Sequence, residues 1–328
     1  MKKAMKRKSM LLALALITAL CLAGCGGDES QKDAPEEEAA GLTKIGFLHQ
    51  DATWEMYQIE EKAVKEQCDK AGIELVTANP SSDAHKQLEQ FESMVNSGCQ
   101  AVICVTVDGK VLEDAVKKAA DEKGVIFVSQ FIPMENSSAD IAVDEYDYGY
   151  TIGKMGAEYC AKNFGDEEVE CAIIRVFDYE PGIERAEGMR AALADIFPTG
   201  KVVNEQDCND TASAMTATEA ILAANPDCRV FLCDSDDTGG IGAYEALMSK
   251  VKPEDYDKYV VVGADGTDQG IKLTKEGGMY RGTVDLQCDQ LGIQAFNICK
   301  DLFEGKELEK TQYLKVKAVD YDVANKDY

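Results

Sequence analysis

The chain has 328 residues, 45% of them hydrophobic, enough to build a large core as one sizeable domain or two medium ones. Its formal charge is −26, from 60 acidic against 34 basic residues. That excess excludes a nucleic-acid partner, because gripping a phosphate backbone needs clustered Lys and Arg.

The first 27 residues combine a basic start, an apolar run from Leu11 to Leu20 and small residues around a cysteine. The uncharged stretch from Met10 to Cys25 is shorter than the roughly 20 residues a bilayer crossing needs, so it reads as an export signal over residues 1–24. Its end, Leu22-Ala23-Gly24-Cys25, resembles the lipobox of bacterial lipoproteins, which implies cleavage before Cys25 and acylation of that cysteine. Several acyl chains on one residue hold a protein at a membrane stably. The expected product is extracytoplasmic, lipid-anchored to the outer face of a bacterial cell membrane. Losing Lys2, Lys3, Lys6, Arg7 and Lys8 with the signal moves the charge from −26 to −31, a field that repels anionic solutes and favours cations. Residues 25–43 include DESQKDAPEEEAAGLT, which is acidic and poor in large apolar side chains, and read as a flexible tether.

From Lys44 onward short apolar runs alternate with amphipathic stretches. The strand-like runs are Ile45 to Leu48, Ile73 to Thr77, Ala101 to Val105, Val125 to Ser129, Ile141 to Val143, Cys171 to Val176, Val202 to Val203, Val230 to Cys233, Val260 to Val262 and Thr283 to Leu286. Between them, sets such as Leu88, Phe91, Met94 and Val95 recur at helical spacing. Strand and helix in alternation, with unbroken apolar strands, imply parallel sheets covered on both faces. About ten strands exceed what one compact sheet of this kind usually holds, so two lobes are expected, with the polar, turn-rich segment from Glu135 to Gly149 as the crossing.

Twelve cysteines less Cys21 and Cys25 leave ten in the folded part. Cys104, Cys171 and Cys233 lie inside strand runs, where cysteine behaves as a small buried hydrophobe, so mostly free thiols are expected. With no CxxC and only His49 and His85, no metal site is expected. Enzyme signatures are absent: no GxSxG, HExxH or GxxxxGK[ST] occurs, and Gly240-Ile241-Gly242 lacks the third glycine of a dinucleotide fingerprint, Glu245 standing there. No cofactor and no catalytic residue are expected.

In open α/β sheets the ligand site lies beyond the carboxyl ends of the strands. Here those ends read Gln50-Asp51, Thr106-Val107-Asp108, Gln130-Phe131, Phe177-Asp178-Tyr179, Asp234-Ser235-Asp236, Asp265 and Leu286-Gln287.

Taken with TKIGFLHQ, GCQAVICVTVDGKVLEDAVKKAADEKGVIFVSQ, VDEYDYGYTIGKMGAE, ERAEGMRAAL, NPDCRVFLCDSDDTGGIGAYEAL and VVVGADGTDQGIKL, the chain resembles the type I periplasmic-binding-protein family, in particular ribose-binding-like receptors of sugar importers. The resemblance covers Lys44 to the C-terminus and implies an α/β fold of two doubly wound parallel-sheet lobes joined by a three-strand hinge. It implies a first lobe of residues 44–146 plus 287–312, and a second of 147–286 plus 313–328. It further implies a monomeric, non-enzymatic receptor that closes over a small polar solute, carbohydrate-like, and delivers it to the permease subunits of an ABC importer. Two alternatives remain at this point: a ligand sensor for a membrane kinase or chemoreceptor, and a secreted nucleotide-dependent enzyme.

Carried over residue by residue, the family pocket falls on Asp265, on Asp236, which replaces the family's Asn, on Trp54 or Tyr57, and on Thr106, while Asp51, Gln130, Phe131, Tyr179 and Gln287 are candidates by their position at strand ends. Carboxylates would grip hydroxyls and aromatic plates would cover the C–H faces of a sugar ring. Asp265 and Asp236 each have a competing use as helix caps. Arg185 and Gly188 keep the "R..G" motif, but Phe131 and Ile183 stand where the family places arginines. A buried carboxylate without a partner is costly, so the expectation is that the solute itself supplies positive charge or extra donors, as an amine does.

Overall fold

The computed structural model describes residues 41–177 and 179–328. The export signal, Cys25 and most of the tether lie outside the described residues, as does Asp178. In chain order the first half runs β1 (Lys44–Leu48), α1 (Glu55–Ala71), β2 (Glu74–Ala78), α2 (Ala84–Asn96), β3 (Ala101–Val105), α3 (Gly109–Lys123), β4 (Ile126–Gln130) and β5 (Ala139–Ala142). There follow α4 (Glu145–Phe164), β6 (Val169–Arg175), α5 (Glu180–Ile196), β7 (Gly200–Asp207), α6 (Thr211–Ala224), β8 (Cys228–Cys233), α7 (Ile241–Met248), β9 (Val260–Asp265), α8 (Asp268–Glu276) and β10 (Tyr280–Asp285). The chain ends in α9 (Cys288–Phe303), β11 (Thr311–Tyr313), β12 (Lys317–Asp320) and α10 (Tyr321–Asp327).

Two six-stranded sheets result, ordered β11-β5-β4-β3-β1-β2 and β12-β10-β9-β8-β6-β7. Every pairing is parallel except β10 with β12. The central strands AVICV and VVVGAD are buried along their whole length, because helices cover both faces and leave no position for a polar side chain to reach water. Each sheet with its helices is one lobe. The chain passes between lobes at β5 to α4, β10 to α9 and β11 to β12, three short crossings side by side.

The ten strand-like runs in the sequence coincide with β1 to β10. The two missing from that reading, β11 and β12, are TQY and KAVD, edge strands too short and too polar to form an apolar run. All ten cysteines among the described residues are free and buried, consistent with packing rather than cross-linking. Among the described residues no helix is long and apolar enough to cross a membrane.

Candidate functional site

The second lobe's wall of the cleft starts from a close helix crossing. A Cβ on Gly149 of α4 would stand 1.9 Å from the Arg185 carbonyl oxygen of α5, and one on Gly188 would stand 2.2 Å from that of Tyr146. Only glycine lets the two backbones approach this far. The approach seats Arg185 inside the lobe, where Nε donates to Glu145 Oε2 at 2.5 Å and Nη1 to the Asp234 carbonyl at 2.9 Å. Nη1 also stands 4.0 Å from Asp265 Oδ1, and the guanidinium lies over the Tyr148 ring at 4.4 Å. Burial works against the guanidinium charge, yet Glu145, Tyr148 and Asp265 outweigh it and hold the arginine firmly protonated.

Asp265 ends β9 with φ of 85°, a left-handed conformation rarely taken by a residue with a side chain. The Tyr148 hydroxyl lies 2.9 Å from Asp265 Oδ1 and accepts the Asp265 backbone N–H at 2.8 Å, so the strained turn is held by a buried tyrosine. Oδ2, also buried, has no hydrogen-bond partner. Burial raises the Asp265 pKa, and Arg185, then Ser235 and Tyr148, only moderate the rise. Asp234 beside it accepts from the Val176 N–H at 2.9 Å, and burial pushes its carboxyl up to about 7. Capping α8 is not the work of Asp265: Thr267 accepts from Gly270 N–H there.

The opposite wall is aromatic. Trp54 and Tyr57, at the start of α1, stack with centroids 5.6 Å apart, and Phe131 meets Tyr57 edge-on at 6.4 Å. Tyr57 is fixed by donating to Gln50 Oε1 at 2.9 Å, and Phe131 sits at φ 66° just past β4. The Glu60 carboxyl is fully buried one turn further along α1, and burial raises it to about 8 despite a 2.5 Å hydrogen bond from Gln130 Nε2. Glu60 Oε2 and Gln130 Oε1 are both without partners, as two acceptors must be until Glu60 carries a proton.

The two walls touch. Helix α1 has no side-chain cap of its own at Trp54; its Glu55 N–H is instead bonded at 2.5 Å by Asp237 Oδ2 from the other lobe. In return, the Glu55 carboxylate meets backbone N–H groups of Gln269 and Asp268 at the start of α8. Each lobe therefore caps a helix of the other, placing a carboxylate where the exposed N–H groups and the helix dipole favour one. Between the walls lies a cavity of about 30 Å³ lined by Trp54, Tyr57, Phe131, Tyr179, Asp234 and Asp265, among others. That volume suits one or two waters. Anything larger must enter with the lobes apart.

Of the residues taken from the sequence, Trp54, Tyr57, Phe131, Tyr179 and Asp265 meet at this cavity. Asp236 does not, which corrects its placement in the pocket. The segment Asp236–Gly240 is a π-helical turn, and its extra residue rotates Asp236 into the lobe. There it accepts from the Tyr280 hydroxyl, from Thr267 N–H at 3.0 Å and from Thr283 Oγ1 at 3.1 Å. Asp234, Ser235 and Thr238 face the cavity in its stead. Asp51 is spent on the turn before α1, accepting from Thr53 N–H and Oγ1. Thr106 bonds Ser129 at 2.7 Å within the first lobe, Gln130 holds Glu60, and Gln287 donates to the Lys315 carbonyl at the hinge. Phe131 and Ile183 stand where the family places arginines, yet Arg185 lies among the buried carboxylates and gives them a cation. Tyr148 and Glu145 had no local signature; only the Gly149 and Gly188 spacing hinted at a close crossing. Among the described residues no cluster of His, Cys, Asp or Glu is arranged to hold a metal ion.

The family model for the periplasmic binding protein domain matches residues 45–307. The ribose import binding protein of Salmonella typhimurium is 22% identical over 261 residues, spanning 80% of this chain and 84% of its own. The fructose import binding protein of Bifidobacterium longum is 23% identical over 329 residues, spanning 96% and 94%. Among solved structures, an ABC transporter periplasmic solute binding protein from Actinobacillus succinogenes with bound D-allose superposes with a TM-score of 0.76 at 22% identity, over 86% of this chain and 99% of that one.

Proposed function

The chain belongs to the periplasmic binding protein family, and on that premise we propose that it captures a sugar or sugar-like polar molecule between its lobes and delivers it to an ABC importer. The observation that carries this reading is the meeting of aromatic rings from one lobe with buried carboxylates from the other at one small cavity. Rings cover the C–H faces of a sugar while carboxylates accept its hydroxyls. The reciprocal caps support a receptor that works by closure, because both are made only when α1 and the second lobe are in contact. The relatives named for ribose and fructose import support a carbohydrate as the solute. The lipobox-like Leu22 to Cys25 supports an anchor on the outer face of the membrane, which keeps the receptor beside its permease.

A thermal-shift panel of sugars, amino sugars, polyols and nucleosides on the purified protein tests the reading. A true ligand at a hundred times its Kd should stabilise the fold by about 2.7 kcal/mol and be recovered chemically unchanged. Turnover of the best binder, or binding confined to nucleosides, contradicts it.

A further inference from the structure

The cleft has two features that a neutral polyol leaves unused. The first is charge. Three buried carboxylates, Glu145, Asp234 and Asp265, surround the single guanidinium of Arg185. That guanidinium is closest to Glu145 at 2.5 Å, spends Nη1 on the Asp234 carbonyl rather than its carboxylate, and stands off Asp265 at 4.0 Å. Asp265 is 98% buried and lines the cavity, and its Oδ2 accepts no hydrogen bond.

The second feature is the set of rings facing those carboxylates. Trp54, Tyr57, Phe131 and Tyr179 line the same cavity. Aromatic faces carry negative charge density, so several rings around one point attract a cation, most of all out of water. Stacked rings alone serve a neutral sugar equally well. Rings together with a buried carboxylate oxygen that accepts no hydrogen bond favour an ammonium.

We infer that the solute taken up by this cleft carries a protonated amine, as an amino sugar or amino polyol does, with its ammonium on Asp265 Oδ2 and its C–H faces against the rings. The inference rests on the receptor reading above and narrows its ligand class. An ammonium supplies the donor that Asp265 Oδ2 lacks, since Arg185 hydrogen-bonds Glu145 and approaches only Asp265 Oδ1, at 4.0 Å.

Isothermal titration with matched probes tests it: D-glucosamine, D-glucose and N-acetyl-D-glucosamine, and the corresponding galactose set, on the wild-type protein and on Asp265→Asn. Each amine should bind at least about tenfold tighter than its hydroxyl parent, and acetylation, which removes the charge but keeps the nitrogen, should erase that advantage. In Asp265→Asn the ratio of amine to parent should fall toward one. Parents binding as tightly as amines overturn the inference and leave a receptor for neutral sugars standing. Failure of every amine while any neutral sugar or polyol of the thermal-shift panel binds also overturns the inference; failure of that whole panel overturns the receptor reading itself, and the inference with it. The acetylation comparison uses only the wild-type protein, so it decides the matter even if Asp265→Asn does not fold.

Discussion

The two lobes share one topology and present the same end of their sheets to the cleft, yet their walls are chemically opposite. The first lobe offers Trp54, Tyr57 and Phe131, with the Glu60 carboxyl fully buried one turn further along α1. The second offers Asp234 and Asp265 beside Arg185, with Asp237 reaching across to the start of α1. Strand order decides where a site lies; the residues just past each strand decide what it holds. Burial raises carboxyls on both sides, Glu60 in the first lobe and Asp234 in the second, but only the second sets a buried arginine beside them.

The largest effect should come from breaking the acidic wall. Arg185→Met leaves Glu145 and Asp265 without their cation and should cost about 3–5 kcal/mol in urea unfolding at neutral pH. Adding Glu145→Gln should recover part of that loss. A cost under about 1 kcal/mol would mean Arg185 does not balance this wall.

Next come the buried carboxyls on both sides of the cleft. Burial raises Glu60 and Asp236 to about 8 and Asp234 to about 7, all above their values in the unfolded chain. The folded state therefore holds protons that the unfolded state has released, and the stability this gives is full below about pH 4 and is lost as pH rises through about 7 to 8. The ligand-free protein should be more stable near pH 5 than near pH 8.5, by at least about 2 kcal/mol. Glu60→Gln, a neutral mimic of the protonated acid that can donate to Gln130 Oε1, should be neutral at the lower pH and stabilising at the higher one. Equal pH slopes in the variant and wild type would show that Glu60 is not the group titrating.

The smallest effect concerns the contact between walls. Asp237→Ala removes the cap that the second lobe places on α1 and should weaken closure by about 1 kcal/mol, read as roughly fivefold faster ligand release. Unchanged release with unchanged affinity would make that contact incidental.

Much of this architecture was legible because unbroken apolar strands and helical spacing are local signals. Most strand ends could be found within a residue or two, which is how Phe131 and Tyr179 could be picked out by position, while Asp265 and the aromatic pair Trp54 and Tyr57 came from the family pattern. Strand-end position could not say which way a side chain turns. One extra residue in the π-helical turn at Asp236–Gly240 exchanged Asp236 for Asp234, and no composition rule announces such a turn. Arg185 was visible as a motif but not as a buried partner, because its place depends on a helix crossing set by Gly149 and Gly188, 39 residues apart in sequence. The hinge strands β11 and β12 escaped because they are held by pairing at sheet edges rather than by their own apolar content.

The central claim, that two unlike walls close on one solute, is tested most directly by hydrogen–deuterium exchange with and without the tightest-binding carbohydrate probe. Binding should slow exchange together at Glu55 to Tyr57 in the first lobe and at Asp234 to Thr238 and Asp265 in the second. Protection confined to one lobe, or found only on an outer face away from both segments, would contradict it.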